Sequence, residues 1–135
     1  MSYTIRQKAD YAIKWIDQLP GFKKSLKGGK LGNAEGGYCC IGAGCVLTKT
    51  KHKPSDISSE AFRIKVGLSF RTGAFCFDKN GVRRTFLGRW DLAGINDDTK
   101  ATFMDISELL KSNPHWMFIP KVATLIEQHY SRTKN

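Results

Sequence analysis

Apolar residues recur at steps of three and four near the start of the chain: Ile5, Ala9, Ala12, Ile13, Ile16 and Leu19. That spacing is one face of a helix. Thr4 is placed to cap it, and Pro20-Gly21 ends the pattern. Trp15 widens the stripe, so this helix is expected to pack against a core. The period is then lost: residues 22–37 hold five glycines and four lysines and read as a basic loop. Residues 38–47 (YCCIGAGCVL) are apolar and small throughout and should cross the core, either as a strand end or as the first turn of a buried helix. A polar stretch with Pro54 follows as a loop, and Ser59 caps a short helix that carries Ala61, Phe62 and Val66 and closes near Gly67.

The central stretch changes to a β-type pattern. Asp78-Lys79-Asn80-Gly81 lies between two β-rich flanks, and Asn-Gly supplies the positive-φ residues of a tight turn. A hairpin is expected over about 74–87, with Arg83 and Arg84 on opposite faces of its second strand. Residues 91–100 read as a turn-rich connection in which Asn96-Asp97 makes an Asx-type turn. Thr102 and Asp105 match a capping box before a helix whose inner face is Phe103, Ile106, Leu109 and Leu110. Ser112-Asn113-Pro114 stops that helix. Pro120 opens the last one, with Val122, Leu125, Ile126 and His129 facing inward and residues 131–135 as a frayed tail. The fold class this predicts is α+β: one small domain, 1–135, with a short antiparallel sheet packed against about four helices.

Composition narrows the function classes. At 135 residues with 41% hydrophobic residues, the chain can build one core without staples. Its longest apolar runs fall far short of the ~20 residues a membrane-spanning helix needs. The first helix is interrupted by Lys8, Asp10, Lys14 and Asp17, which argues against a secretory signal. Cys39, Cys40, Cys45 and Cys76 are accordingly expected as reduced thiols in a cytoplasmic protein, serving as small core filler. They lack the C-x2-C spacing of a zinc knuckle, so no metal is expected. The net charge of +10 divides unevenly: residues 1–90 carry 17 Lys/Arg against 6 Asp/Glu, and residues 91–135 carry 5 against 6. An anionic partner is expected, held by the first two-thirds of the chain.

Candidate chemistry is thin. Asp91, Asp97 and Asp98 form an acidic cluster, but capping and turn roles explain carboxylates there as well as a divalent cation does. Cys39 would need a lowered pKa and a histidine, His52 or His115, to act as a nucleophile, and its apolar neighbours favour a structural role. The stronger set is basic and aromatic: Lys23, Lys24, Arg71, Arg83, Arg84 and Arg89 with Tyr38, Phe70 and Trp90. Arginine forks bind phosphate and aromatic faces stack on bases. Arg89, Trp90 and Asp91 offer a fork, a ring and an acceptor in three consecutive positions, with Asn96 and Asp97 close by in sequence. The plainer alternative puts Trp90 in the core and pairs Arg89 with Asp91 at the surface.

Two segments carry a family resemblance. Tyr38-Cys39-Cys40-Ile41-Gly42-Ala43-Gly44-Cys45 resembles the F-C-C-L-G-V-L-C signature of small proteins encoded by bacteriophages and prophages. Leu92-Ala93-Gly94-Ile95-Asn96-Asp97, with Phe103 and Ile106, is similar to their L-x-x-L-N-D segment. The resemblance implies a phage origin and a cytoplasmic setting in a bacterial host, and no particular reaction. Together with the charge, it leads to one expectation: a non-enzymatic antagonist of bacterial immunity that sequesters an anionic nucleotide-type signal. It would act without a cofactor and as a homo-oligomer. The site expected for it is Lys23, Lys24, Tyr38, Arg71, Arg83, Arg84, Arg89, Trp90, Asn96 and Asp97. A nucleic-acid-binding protein and an inhibitor of a host enzyme are the alternatives.

Overall fold

Helix α1 (Ile5–Gln18) forms where the period predicts it, and a reciprocal capping box between Thr4 and Gln7 starts it. In the computed structural model, which describes residues 2–22, 24, 37–53, 59–69 and 75–133, this helix is the centre of the fold. It packs against α2 (Cys40–Leu47), α3 (Glu60–Val66), α5 (Phe103–Ser112) and α6 (Pro120–Thr133). Trp15 organises that packing. Its ring is fully buried and meets Phe62 and Phe118 edge-to-face at 4.9 and 6.3 Å. Its Nε1 donates to Cys40 O at 2.9 Å, so burial leaves no orphaned donor.

Within the apolar 38–47 segment, Cys40–Leu47 form a helix buried at every position but Val46. Hydrophobicity around nearly the whole circumference suits a helix enclosed by the core. Gly44 permits the enclosure: a Cβ there would overlap the Phe62 ring and lie 3.0 Å from Trp15 Nε1. Polar ties complete the frame. Ser107 Oγ donates to Ile16 O at 2.5 Å, joining α5 to α1, and Tyr130 OH donates to Asp17 Oδ1 at 2.7 Å, joining α6 to α1. Buried Val122, Ala123, Ile126 and Tyr130 make the inner stripe of α6. No helix among the described residues is long and apolar enough to cross a membrane.

The expected α+β class is wrong. Six α-helices and no β-strand stand among the described residues. The hairpin expected over about 74–87 is reduced to isolated bridges, Phe77 with Arg83 and Phe75 with Asp91. The backbone partners explain why. Cys76 N donates to Trp90 O, Phe77 N to Trp116 O, and Arg84 N to Cys76 O, so neighbouring groups pair with different segments and no ladder propagates. The Asp78–Val82 reversal does form, with Asp78 Oδ1 accepting from Asn80 N and Val82 N at 2.9 and 3.0 Å. A second tight turn interrupts the expected second strand. Phe86 and Arg89 exchange backbone hydrogen bonds around Leu87 and Gly88, whose φ values of 51° and 82° suit a primed two-residue turn.

A second correction concerns residues 91–100. They form helix α4 (Leu92–Asp98), with Asp91 as N-cap, in place of a turn-rich connection. Asn96 is therefore helical and makes no Asx-type turn.

Candidate functional site

Helix α4 enters the fold through its inner face, Leu92, Ile95 and Asn96. Asn96 is 5% exposed, and its amide is used at both ends. Oδ1 accepts from Cys40 N at 3.0 Å, and Nδ2 donates to Asp97 Oδ1 at 2.7 Å. One buried side chain thus caps the start of α2 and orients the carboxylate of its neighbour. At that same α2 start, Cys39 is the N-cap, its Sγ accepting from Gly42 N at 3.3 Å.

Asp97 stands on the wall of a cleft of about 620 Å3. Lys24 and Lys100 bring cations to it, Phe22 and Phe103 bring rings, and Thr102 brings the start of α5. Lys24 Nζ donates to Ala101 O, which anchors the lysine on the cleft wall. The start of α5 is already capped: Thr102 Oγ1 accepts from Asp105 N, and the Asp105 carboxylate accepts from Thr102 N and offsets the partial positive charge of the helix end. Tyr38 stands behind this wall, with its ring 5.7 Å edge-to-face from Phe22 and its backbone bridged to Lys24.

The ten expected site residues therefore divide. Lys24, Asn96 and Asp97 line one cleft, with Tyr38 supporting it. Lys23 and Arg71 lie outside the described residues, as does Phe70. Arg83, Arg84, Arg89 and Trp90 are exposed and do not line the cleft. Arg83 lies over the rings of Trp90 and Phe77, at 5.4 and 5.8 Å. Arg84 is paired with Asp78 at 2.8 Å, and Arg89 approaches Asp98 at 3.9 Å. The trio read at 89–91 does not assemble, because Asp91 turns to cap α4 by accepting from Gly94 N. Nor is Trp90 a core residue: it is 43% exposed. Lys100 and Phe22 were missed, and nothing in the local pattern marks Lys100 as facing a cleft. Phe103 is expected as core and is core, 4% exposed, where it closes the cleft wall.

The remaining chemical candidates have other partners. All four cysteines are buried and unbridged. Burial pushes the Cys39 and Cys40 thiols up, with Asp97 adding to the effect, and it pushes Cys76 up to about 12. His52 Nδ1 is 3.1 Å from Thr50 O, and His115 lies 3.8 Å from Glu127, so each ring has a local contact of its own. Among the described residues no group of three or more His, Cys, Asp or Glu side chains is arranged to hold a metal ion. The chain matches no protein-family model, no curated protein and no solved structure.

Proposed function

We propose that the protein binds an anionic nucleotide-type small molecule in the Lys24–Lys100 cleft and holds it without chemistry. One observation carries this reading: a cleft of about 620 Å3 gathers two lysines, the Phe22 ring and a fixed carboxylate. Such a volume falls in the usual range for small-molecule sites, about 300–1,000 Å3. The two lysines suit a phosphate. The half-buried Phe22 ring suits a base, and Asp97 suits a base or sugar donor. The resemblance of residues 38–45 and 92–97 to phage proteins supports a setting in an infected bacterial cell, where holding a nucleotide signal would silence an immune response.

The test is thermal stabilisation by a panel of mono-, cyclic and oligonucleotide signals, followed by mass analysis of the ligand released on heating. At a hundredfold excess over Kd a true ligand adds about 2.7 kcal/mol of stability. The ligand should return unaltered, and Lys100→Glu, a change at an exposed position, should abolish the shift. No stabilisation by any member at high excess overturns the reading. An altered ligand would make the protein an enzyme instead.

A further inference from the structure

We propose that the turn at residues 86–89 inserts Leu87 into an anionic lipid surface, with Arg83, Arg89 and Trp90 at the level of the headgroups. None of these residues lines the Lys24–Lys100 cleft.

Leu87 is doubly unfavourable where it stands. It is 61% exposed, more than any other large apolar residue described. Its φ of 51° also puts a branched side chain in the left-handed region, where Gly, Asn or Asp fits at lower steric cost. One exposed leucine is ordinary by itself. Exposure and backbone strain at the same position point to a contact outside the chain, because a residue serving only the turn would be Asn or Gly. The turn is formed in advance of that contact. Phe86 N donates to Arg89 O at 2.8 Å, and Arg89 N donates to Phe86 O at 3.1 Å. Phe86 packs against the core, and Trp90 O accepts from the N–H of buried Cys76 at 2.7 Å. The tip itself projects: a Cβ at Gly88 would meet nothing within 4 Å among the described residues.

The neighbours of Leu87 select the occupant. Arg89 and Trp90 follow it by two and three positions, and both are exposed. The Arg83 guanidinium lies 5.4 Å over the Trp90 ring. Chain connectivity and that stacking hold these groups near the tip. Of the carboxylates close by in sequence, Asp91 is turned to cap α4, and Asp98 makes a loose exposed contact with Arg89 Nε at 3.9 Å. An apolar tip beside tryptophan and arginine suits the membrane–water interface, where the indole sits among headgroups and arginine keeps its charge in the polar layer. The net charge of +10 adds the attraction that an anionic leaflet exerts on the whole chain. A polynucleotide would share that attraction, but its phosphate backbone offers nothing aliphatic to Leu87. A stable protein interface engages roughly 20–30 residues a side. The tip presents four consecutive exposed residues, Leu87 to Trp90. A lipid surface accepts so small an element, because its affinity comes from inserted hydrocarbon and charge and not from a matched area.

The experiment mixes the full chain with vesicles of phosphatidylcholine, alone or with phosphatidylglycerol, at physiological ionic strength. Binding is read by co-sedimentation, and insertion by the quenching of tryptophan fluorescence by brominated acyl chains. The mixed vesicles should bind and quench, and pure phosphatidylcholine should do so far less. Trp15 is buried and Trp116 half-buried, so Trp90→Phe should remove the quenching. Leu87→Asn should weaken binding about tenfold. Its melting temperature should hold or rise, because Asn suits the left-handed position. Arg89→Gln should weaken binding about fivefold. The proposal is overturned if the mixed vesicles bind no protein at millimolar lipid, if Leu87→Asn binds them as tightly as the parent chain, or if Trp90→Phe leaves the quenching intact. It is equally overturned if a single-stranded oligonucleotide binds more tightly than the vesicles and loses affinity in Leu87→Asn, or if the tip proves to be buried in a dimer that Leu87→Asn dissociates. None of these results bears on the nucleotide panel, which reads the Lys24–Lys100 cleft without lipid.

Discussion

Asn96 shows how one side chain links a candidate site to the core. Its carbonyl oxygen is the acceptor for Cys40 N, and its amide group holds Asp97. Asn96→Ala should therefore cost about 1–3 kcal/mol, the penalty of leaving a buried N–H without a partner. Urea unfolding measures it, and an unchanged midpoint would remove Asn96 from its capping role. The same residue marks a limit of reading by type. Asn-Asp before a polar stretch is turn chemistry, yet Leu92, Ile95 and Asn96 fall on one helical face, and that period was visible. What could not be read was the partner, which lies 56 residues earlier.

Among elements, the reversal at residues 78–82 carries a pH signature. The Val82 backbone N–H, followed by the Arg84 guanidinium and the Asn80 N–H, holds the Asp78 carboxyl below the ordinary range. A carboxylate whose folded pKa lies below its unfolded value stabilises the fold above the unfolded pKa. That contribution disappears as pH falls through the folded value, beneath the ordinary aspartate pKa of about 3.9. The Asn80 and Val82 amide resonances should accordingly move as acid is added. In Asp78→Asn, which keeps an acceptor oxygen and loses the charge, the transition should flatten; an identical acid titration in the variant would assign it to another group. The elements themselves differed in legibility. Thr4, Ser59 and Thr102 each cap the helix that follows, as their positions suggest, because a cap is a local interaction. The β-type pattern at 74–87 misled because alternation states only that a segment is extended. A sheet also needs neighbouring donors to meet one partner strand, and here they meet three segments.

At the scale of the whole molecule, burial of the thiols makes stability depend on alkaline pH. Cys39, Cys40 and Cys76 keep their protons in the folded state above the ordinary thiol value of about 8.5, while the unfolded chain releases them. A folded state that binds more protons than the unfolded one loses stability as pH rises. The urea midpoint should fall between pH 7 and pH 10. Cys76→Ala should reduce the slope, and a thiol reagent at pH 8 should label the chain only after denaturant is added. A slope unaffected by that substitution would assign it to Cys39 and Cys40. Charge at this scale was only half informative. The surplus lies before residue 91, yet the cleft combines Lys24 with residues 96–104, and Lys100 comes from the part of the chain with no cationic surplus.

Local order followed from local residues: α1 and α5 with their capping boxes, α3 between Ser59 and Gly67, and α6 opening at Pro120. These features arise within a few positions along the backbone, so period and cap chemistry are enough to find them. Tertiary structure decided everything that needs two distant segments. It made Cys40–Leu47 a helix packed close at Gly44, turned Leu92–Asp98 into a helix through Asn96, denied the 75–91 segment a sheet, and divided one expected basic site into a cleft and separate exposed arginines. Hydrogen-bond partners and apolar contacts across such separations are chosen by the whole packed core. No window of the sequence contains both sides of the choice.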